Sequence, residues 1–539
     1  MSHTDEPVRS PVETADHRRR SGGAMPGSGV TKSGDRAEDA VDSQPDLAER
    51  IEAILGIDPD ADAIEFGRSW TTWGSLAAVA HQVADQLNSA GLAPGAPVGL
   101  VLRNDPAMIG AMLGVLQAHC CIVTLNPSHG DEGLGHDIAD LRLPAVVACG
   151  VDWDRAGVIK AATGALGLRV SVTECPVEVV AGLESPGDGP FRESDPAVAV
   201  EMLTSGTTGP PKRIPLAYRA FERTIAAAGA HYGSRDETGP RLRRGVMIVS
   251  SPLVHMSGLF RTLLYVCQGR QIALLPRFTV DDFIDLVGRH RPKAVSLVPT
   301  ALAMVLEADV DPVVFDSVTV VTSGTAPLSA HLQETFEDKY GVAVLPSYGA
   351  TEFAGGVAGW NLKLHHEWAQ SKRGSVGRPQ PGREIRIVAA DGDHEVPAGE
   401  QGVIEVRTAG GEWVRTTDLG RLDSDGFLFV DGRTDDVINR GGFKVTPADI
   451  VAALRSHPAV RDAGVTGLAD ARLGAVPVAA VECVEGQDTT AAELLDYLRA
   501  RLSRYQVPAD LRIVDELPRT PSMKISQPGI RALFEQADT

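Results

Sequence analysis

Short apolar runs separated by helical segments recur over residues 97–345 and restrict the fold more than any other feature. Pro97-Val-Gly-Leu-Val-Leu102 reads as a buried strand, residues 106–118 as a helix, and Cys121-Ile-Val-Thr-Leu125 as the next strand. Further runs stand at 246–249, 271–275, 294–298, 318–321 and 342–345. Strands that are apolar on both faces must be covered on both faces, so the alternation predicts an α/β fold of mainly parallel sheets flanked by helices. Ligand-binding loops are then expected at strand C-terminal ends. The most lipid-like stretch, 109–125, is interrupted by Gln117 and His119. It reads as a buried helix running into a strand, and no integral membrane segment is expected.

After about residue 384 the texture changes. Glu384-Ile-Arg-Ile-Val388 and Gly402-Val-Ile-Glu-Val-Arg407 alternate apolar and polar residues, as half-exposed antiparallel strands do, which predicts a small β-rich subdomain. A compact α+β unit follows, with helices near 447–456 and 490–503 and strands near 460–466 and 477–483. The junction at 432–436 is crowded with charge and lacks large apolar residues. The expected organisation is a large domain over 46–434 and a small C-terminal domain over 435–539. Residues 1–45 contain no Leu, Ile, Phe, Tyr or Trp. Such a segment cannot bury enough apolar surface to offset its ordering entropy, so it reads as a disordered tail.

The residues most charged with chemistry are Leu203-Thr-Ser-Gly-Thr-Thr-Gly-Pro-Pro-Lys212, just after a predicted strand at 196–203. Small hydroxyl residues and glycines let backbone N–H groups converge on an anion, and Lys212 adds a mobile positive charge. The P-loop pattern G-x-x-x-x-G-K-[ST] does not fit, because Pro211 stands five residues after Gly206 and Arg213 follows Lys212. Downstream, Ser347-Tyr-Gly-Ala-Thr-Glu352 follows the run at 342–345. Tyr348 suits a purine, Thr351 a phosphate oxygen, and Glu352 a Mg²⁺ ion. Asp418 can accept hydrogen bonds from both hydroxyls of a ribose, with Arg433 beside it.

Together these stretches resemble the adenylate-forming (AMP-binding) superfamily, which includes acyl-CoA synthetases, peptide-synthetase adenylation domains and firefly-type luciferases. The resemblance spans about 320 residues, in family order. It implies that Thr204, Ser205, Gly206, Thr207, Thr208 and Lys212 clamp the phosphates of ATP, and that Gly324, Thr325, Ala326, Tyr348 and Gly349 form the adenine pocket. Asp418 and Arg433 would bind ribose, and Glu352 and Thr207 would hold Mg²⁺. Thr351 and Glu352 would act at the reacting phosphate. The stretch Arg433-Thr-Asp-Asp-Val-Ile-Asn-Arg-Gly-Gly-Phe-Lys444 implies a hinge at Asp435, which would make the small domain mobile. Gly441, Gly442 and Lys444 would then lie along the pantetheine arm of coenzyme A. Leu517-Pro-Arg-Thr-Pro-Ser-Met-Lys524 resembles the loop that carries the catalytic lysine, Lys524; Met523 stands where the family usually has glycine. His255, in Ser251-Pro-Leu-Val-His-Met-Ser-Gly258, would gate the acyl pocket.

The implied reaction is ATP-dependent acyl-CoA ligation: a carboxylate and ATP give an acyl-adenylate and pyrophosphate, and coenzyme A then displaces AMP. The expected substrate is an aryl or medium-chain carboxylic acid. Two alternatives stay open: an adenylating enzyme that loads a carrier-protein phosphopantetheine, and a catalytically degenerate nucleotide-binding protein. The formal net charge of −20 argues against a nucleic-acid partner. Six scattered cysteines and the absence of an N-terminal apolar segment read as buried thiols in a reducing cytoplasm. A homodimer is left open.

Overall fold

The computed structural model describes residues 46–173, 175–204, 212–231, 239–408, 411–484, 486–520 and 524–535. The expected tail at 1–45, and Ser205, Gly206, Thr207, Thr208 and Met523, lie outside the described residues.

The runs at 97–102 and 121–125 form adjacent parallel strands, Pro97–Val101 and Cys121–Leu125, buried at every position. The helix between them, Pro106–Gln117, is buried from Pro106 to Leu116. The Asp105 carboxylate caps it by accepting from the Ala107 N–H, and Pro106 sits where no helical N–H is needed. Glycine permits its close packing: a Cβ at Gly114 would lie 2.3 Å from the Ala80 carbonyl oxygen in the neighbouring helix Trp73–Ser89. Among the described residues no helix is long and apolar enough to cross a membrane.

Five sheets organise the described chain. In the largest, the parallel strands Leu166–Val170, Ala145–Cys149, Pro97–Val101, Cys121–Leu125 and Val198–Thr204 lie side by side, edged by the antiparallel Val177–Val179 and Lys212–Ala217. A second sheet joins Arg243–Val249, Arg270–Leu274, Asp62–Phe66 and Ser69–Thr72. In the third, Ala294–Ser296, Val320–Ser323 and Ala343–Ala350 run parallel, and Gly355–Gly359 turns back antiparallel. These are the mixed, parallel-rich sheets the alternation predicts.

The change of texture after residue 384 is equally visible. Arg383–Val388, Gly402–Thr408, Trp413–Leu422 and Leu428–Arg433 form a wholly antiparallel sheet. The last sheet, built from residues 438–514, pairs Val460–Asp470 with Gly474–Cys483 and is covered by the helices Pro447–Arg455, Ala491–Arg499 and Gln527–Glu535. Four of the six thiols are buried as expected; Cys175, just before the edge strand Val177–Val179, is exposed, and Cys483, the last residue of its strand, is half-buried.

Candidate active site

The C-terminal ends of the parallel strands open into one cavity of about 2770 Å³, which the antiparallel sheet and the loop around Lys524 close from the other side. Strand Val198–Thr204 enters it and pairs back with Lys212–Ala217, Thr204 opposite Lys212. The two ends of the phosphate loop are therefore held together by sheet pairing, and Lys212 lines the cavity.

The Ser347–Glu352 element is a strand end followed by a single 3₁₀ turn, Thr351–Phe353. The chain doubles back so tightly that a Cβ at Gly349 would lie 2.4 Å from the Gly355 carbonyl oxygen. This is the packing reason for glycine there. Arg383 pins the turn, donating to the Phe353 carbonyl at 3.0 Å and to Thr224 Oγ1 at 3.1 Å. Thr351 and Glu352 line the cavity, as do Gly324, Thr325 and Ala326 from the loop after Val320–Ser323. Thr325 adopts a left-handed backbone, φ 71°.

Tyr348 is tied to a different sheet. Its hydroxyl donates to Asp418 Oδ2 at 2.6 Å, and burial together with the Asp418 charge pushes the phenol far above its ordinary pKa. Asp418 and Arg433 face each other across neighbouring strands, with Nη1 and Oδ1 3.9 Å apart. Arg433 also donates to Thr417 Oγ1 at 2.6 Å, and to Asp435 from Nε at 2.9 Å and from Nη2 at 3.0 Å. Asp435 thus forms a two-pronged ion pair, which raises the Arg433 pKa.

Lys524 and His255 meet in the same cavity. Lys524 keeps an open face to the cleft but is crowded by protein, and desolvation first, then the Arg433 charge, lowers its ammonium pKa while Asp418 opposes them. His255 precedes helix Met256–Cys267; its Nε2 is buried without a hydrogen-bond partner. Burial, with a smaller contribution from Lys524, pushes its pKa down to about 4, so the imidazole is neutral at pH 7. Asn104, at the end of the 97–101 strand, holds this segment. It donates to the Leu275 carbonyl at 2.8 Å and accepts from the Leu253 N–H at 2.8 Å.

Not every expected residue gathers here. Gly441, Gly442 and Lys444 lie outside the cavity lining, on the exposed hairpin of Ile438–Arg440 and Phe443–Val445. The same hairpin presents Phe443, 57% exposed, stacked on Tyr505 with centroids 4.8 Å apart. Sequence reading had no hold on Asn104, Arg383 or Thr417, whose partners lie 149, 159 and 16 residues away. The polar run Arg103-Asn104-Asp105, shortly after a buried strand, is the one signal near Asn104.

Residues 53–411 match the family described as AMP-binding enzyme, and residues 450–524 match the AMP-binding enzyme C-terminal domain. The chain belongs to the AMP-binding enzyme family. Among its relatives is a 2-succinylbenzoate–CoA ligase of Bacillus subtilis, 35% identical over 350 residues, covering 61% of this chain and 68% of that protein. An indoleacetate–CoA ligase of Aromatoleum aromaticum is 28% identical over 521 residues, covering 90% and 98%. An o-succinylbenzoate coenzyme A synthetase structure from Bacillus subtilis, in complex with ATP and magnesium ion, superposes with a TM-score of 0.72 at 26% identity, covering 90% and 99%. The chain is accordingly an AMP-forming acid–thiol ligase that uses ATP, Mg²⁺ and coenzyme A.

The residues present fit these groups. The unpartnered His255 Nε2, the Gly324 backbone and the Tyr348–Asp418–Arg433 set all line one cleft. Among the described residues no cluster of three or more His, Cys, Asp or Glu could hold a metal. That suits Mg²⁺ carried mainly by phosphate oxygens with one protein carboxylate.

Proposed function

We propose that this chain activates an aryl-bearing carboxylic acid, with Lys524 as the residue that stabilises adenylation. The observation that carries this reading is the position of Lys524 in one cavity with Asp418, Arg433 and the unpartnered His255. Two relatives act by name on arylated acids, 2-succinylbenzoate and indoleacetate. The wall beyond His255 supports the same class: Met256, Phe260, Leu264 and Val298 are apolar.

In the first step a carboxylate oxygen attacks the α-phosphorus, and the bond to the departing pyrophosphate breaks. Negative charge accumulates on the α-phosphate oxygens, and the Lys524 ammonium meets it as a positioned cation. Asp418, held by Tyr348, accepts from the ribose hydroxyls, while Lys212 and the residues from Thr204 to Thr208 receive the β- and γ-phosphates. Glu352 and Thr207 would hold Mg²⁺, which would supply neutralisation of phosphate charge. His255 stays neutral, so it adds no second cation that would compete with Lys524 for the reacting oxygens.

In the second step the coenzyme A sulfur attacks the acyl carbon and the electron pair of the breaking C–O bond leaves with AMP. Gly441, Gly442 and Lys444 stand outside the cleft in this arrangement, with the Phe443–Tyr505 stack beside them. A turn of residues 435–539 about Asp435 would withdraw Lys524 and bring this hairpin in, the gating class of motion. The division into 46–434 and 435–539, and a cytoplasmic location, belong to the same proposal.

Lys524→Gln tests the assignment. ATP–pyrophosphate exchange with an arylalkanoate should fall about 10²–10³-fold, while thioester formation from supplied acyl-adenylate and coenzyme A stays within a few-fold of the parent. Equal loss in both half-reactions would refute the role.

A further inference from the structure

We infer that Arg261 selects, within this ligase reading, a carboxylic acid bearing a second carboxylate at its far end. The helix that begins after His255 presents Ser257, Arg261, Leu264 and Gln268 to the cavity, the spacing of one helical face. Arg261 lies six residues beyond His255, about 9 Å along the axis at about 1.5 Å per residue, and lines the cavity. Its recorded partner is neutral: Nη1 donates to Thr322 Oγ1 at 3.4 Å. Among the described residues Arg261 forms no ion pair.

The charge around it points the same way. Among the described residues lining the cavity, every Asp and Glu comes from position 352 onward, beginning with Glu352 and Asp418. The stretch before that contributes no carboxylate, although the chain as a whole carries a net charge of −20. Beyond Arg261 the cavity wall continues through Arg243, Arg244 and Arg270. Among the described residues none of the three forms an ion pair. The half-buried Arg261, in a cavity also lined by Leu264 and Val298, carries more donors in its fixed fork than its one recorded bond uses, and a planar carboxylate matches that fork with two parallel hydrogen bonds. A neutral acyl tail would leave those donors to water, so the site discriminates by what it leaves unpaired. The second carboxylate must reach Arg261 while the first is activated near Lys524, so an aromatic ring with a methylene arm of varied length is the natural trial span.

The test is ATP–pyrophosphate exchange and thioester formation with matched acids. 3-(4-Carboxyphenyl)propanoate is set against 3-(4-methylphenyl)propanoate and 3-(4-aminomethylphenyl)propanoate, with homologues of one to four methylenes. The parent enzyme should favour the diacid over its methyl isostere by about 10–100-fold in kcat/KM, the worth of a charge-assisted pair. Arg261→Gln should erase that preference through KM for the diacid, with kcat within a few-fold. Arg261→Lys, which keeps charge but not the fork, should restore part of it, and Arg261→Glu should shift preference to the aminomethyl acid. Equal use of diacid and methyl isostere by the parent enzyme, or equal loss of both in Arg261→Gln, would overturn the inference while leaving the ligase reading intact. No exchange with any acid, by enzyme that binds ATP, would overturn the ligase reading and this inference with it.

Discussion

Tyr348→Phe removes one oxygen atom and isolates what the cleft does for the sugar of ATP. The hydroxyl donates to Asp418 Oδ2 at 2.6 Å, in a position where Tyr348 is 9% exposed. A hydrogen bond to a charged group contributes about 1.5–3 kcal/mol net, and its loss leaves a buried carboxylate oxygen short of a donor. Arg433 does not replace it: its Nη1 is 3.9 Å from Asp418, and its fork is engaged by Asp435 and Thr417. The expected result is a 10–100-fold rise in the ATP dissociation constant by calorimetry, and a matching rise in KM for ATP in pyrophosphate exchange. The maximal exchange rate should stay within about threefold of the parent, because the hydroxyl touches Asp418 and not the reacting carboxylate. The effect should also be flat from pH 6 to pH 9, since the phenol is held protonated across that range. An unchanged dissociation constant, or a collapse of the maximal rate at unchanged affinity, would refute the reasoning.

Two further expectations concern the other side of the cleft. His255 has a pKa of about 4 in the fold against about 6.5 in the unfolded chain, so between those values only the unfolded chain carries the extra proton. Native stability therefore falls as pH drops from 6.5 toward 4, by about 2 kcal/mol at pH 5 from this group, and the residue contributes no slope above pH 7. Histidine-selective NMR should show the His255 ring silent from pH 5.5 to 8, and His255→Asn should lose less stability than the parent between pH 7.5 and pH 5; a midpoint near 6.5 would contradict the burial argument. Asp435→Pro should arrest one half-reaction and leave the other measurable, and equal damage to both would remove the hinge from Asp435.

How much of this was legible beforehand varied with the range of the interactions involved. The 106–117 helix and its flanking strands could be read because capping by Asp105, the proline at the first turn and apolar runs are local chemistry. The phosphate loop, Thr351–Glu352, Asp418 and Lys524 were legible as motifs in sequence order, which names parts without distances. Tyr348 is a correction of emphasis: it was read as a ring for a purine, and its observed contact is a hydroxyl donating to Asp418, 70 residues later. Gly441, Gly442 and Lys444 were grouped with the rest of the site, yet one arrangement of the chain leaves them on an exposed hairpin.

From the sequence alone came the parallel-rich α/β body, the antiparallel texture after residue 384 and the order of the chemical motifs, because periodicity, capping and loop composition act within a few residues. Tertiary structure decided which of those motifs share a cavity and what surrounds them. Only crowding of Lys524 in the cleft, with the Arg433 charge beside it, lowers its pKa against the opposing pull of Asp418, and only burial near that lysine keeps His255 neutral. Only the folded chain sets Arg261 beside Thr322, with no ion-pair partner among the described residues. Electrostatics of this kind depends on distance and dielectric, and neither is written in the spacing of residues along a chain.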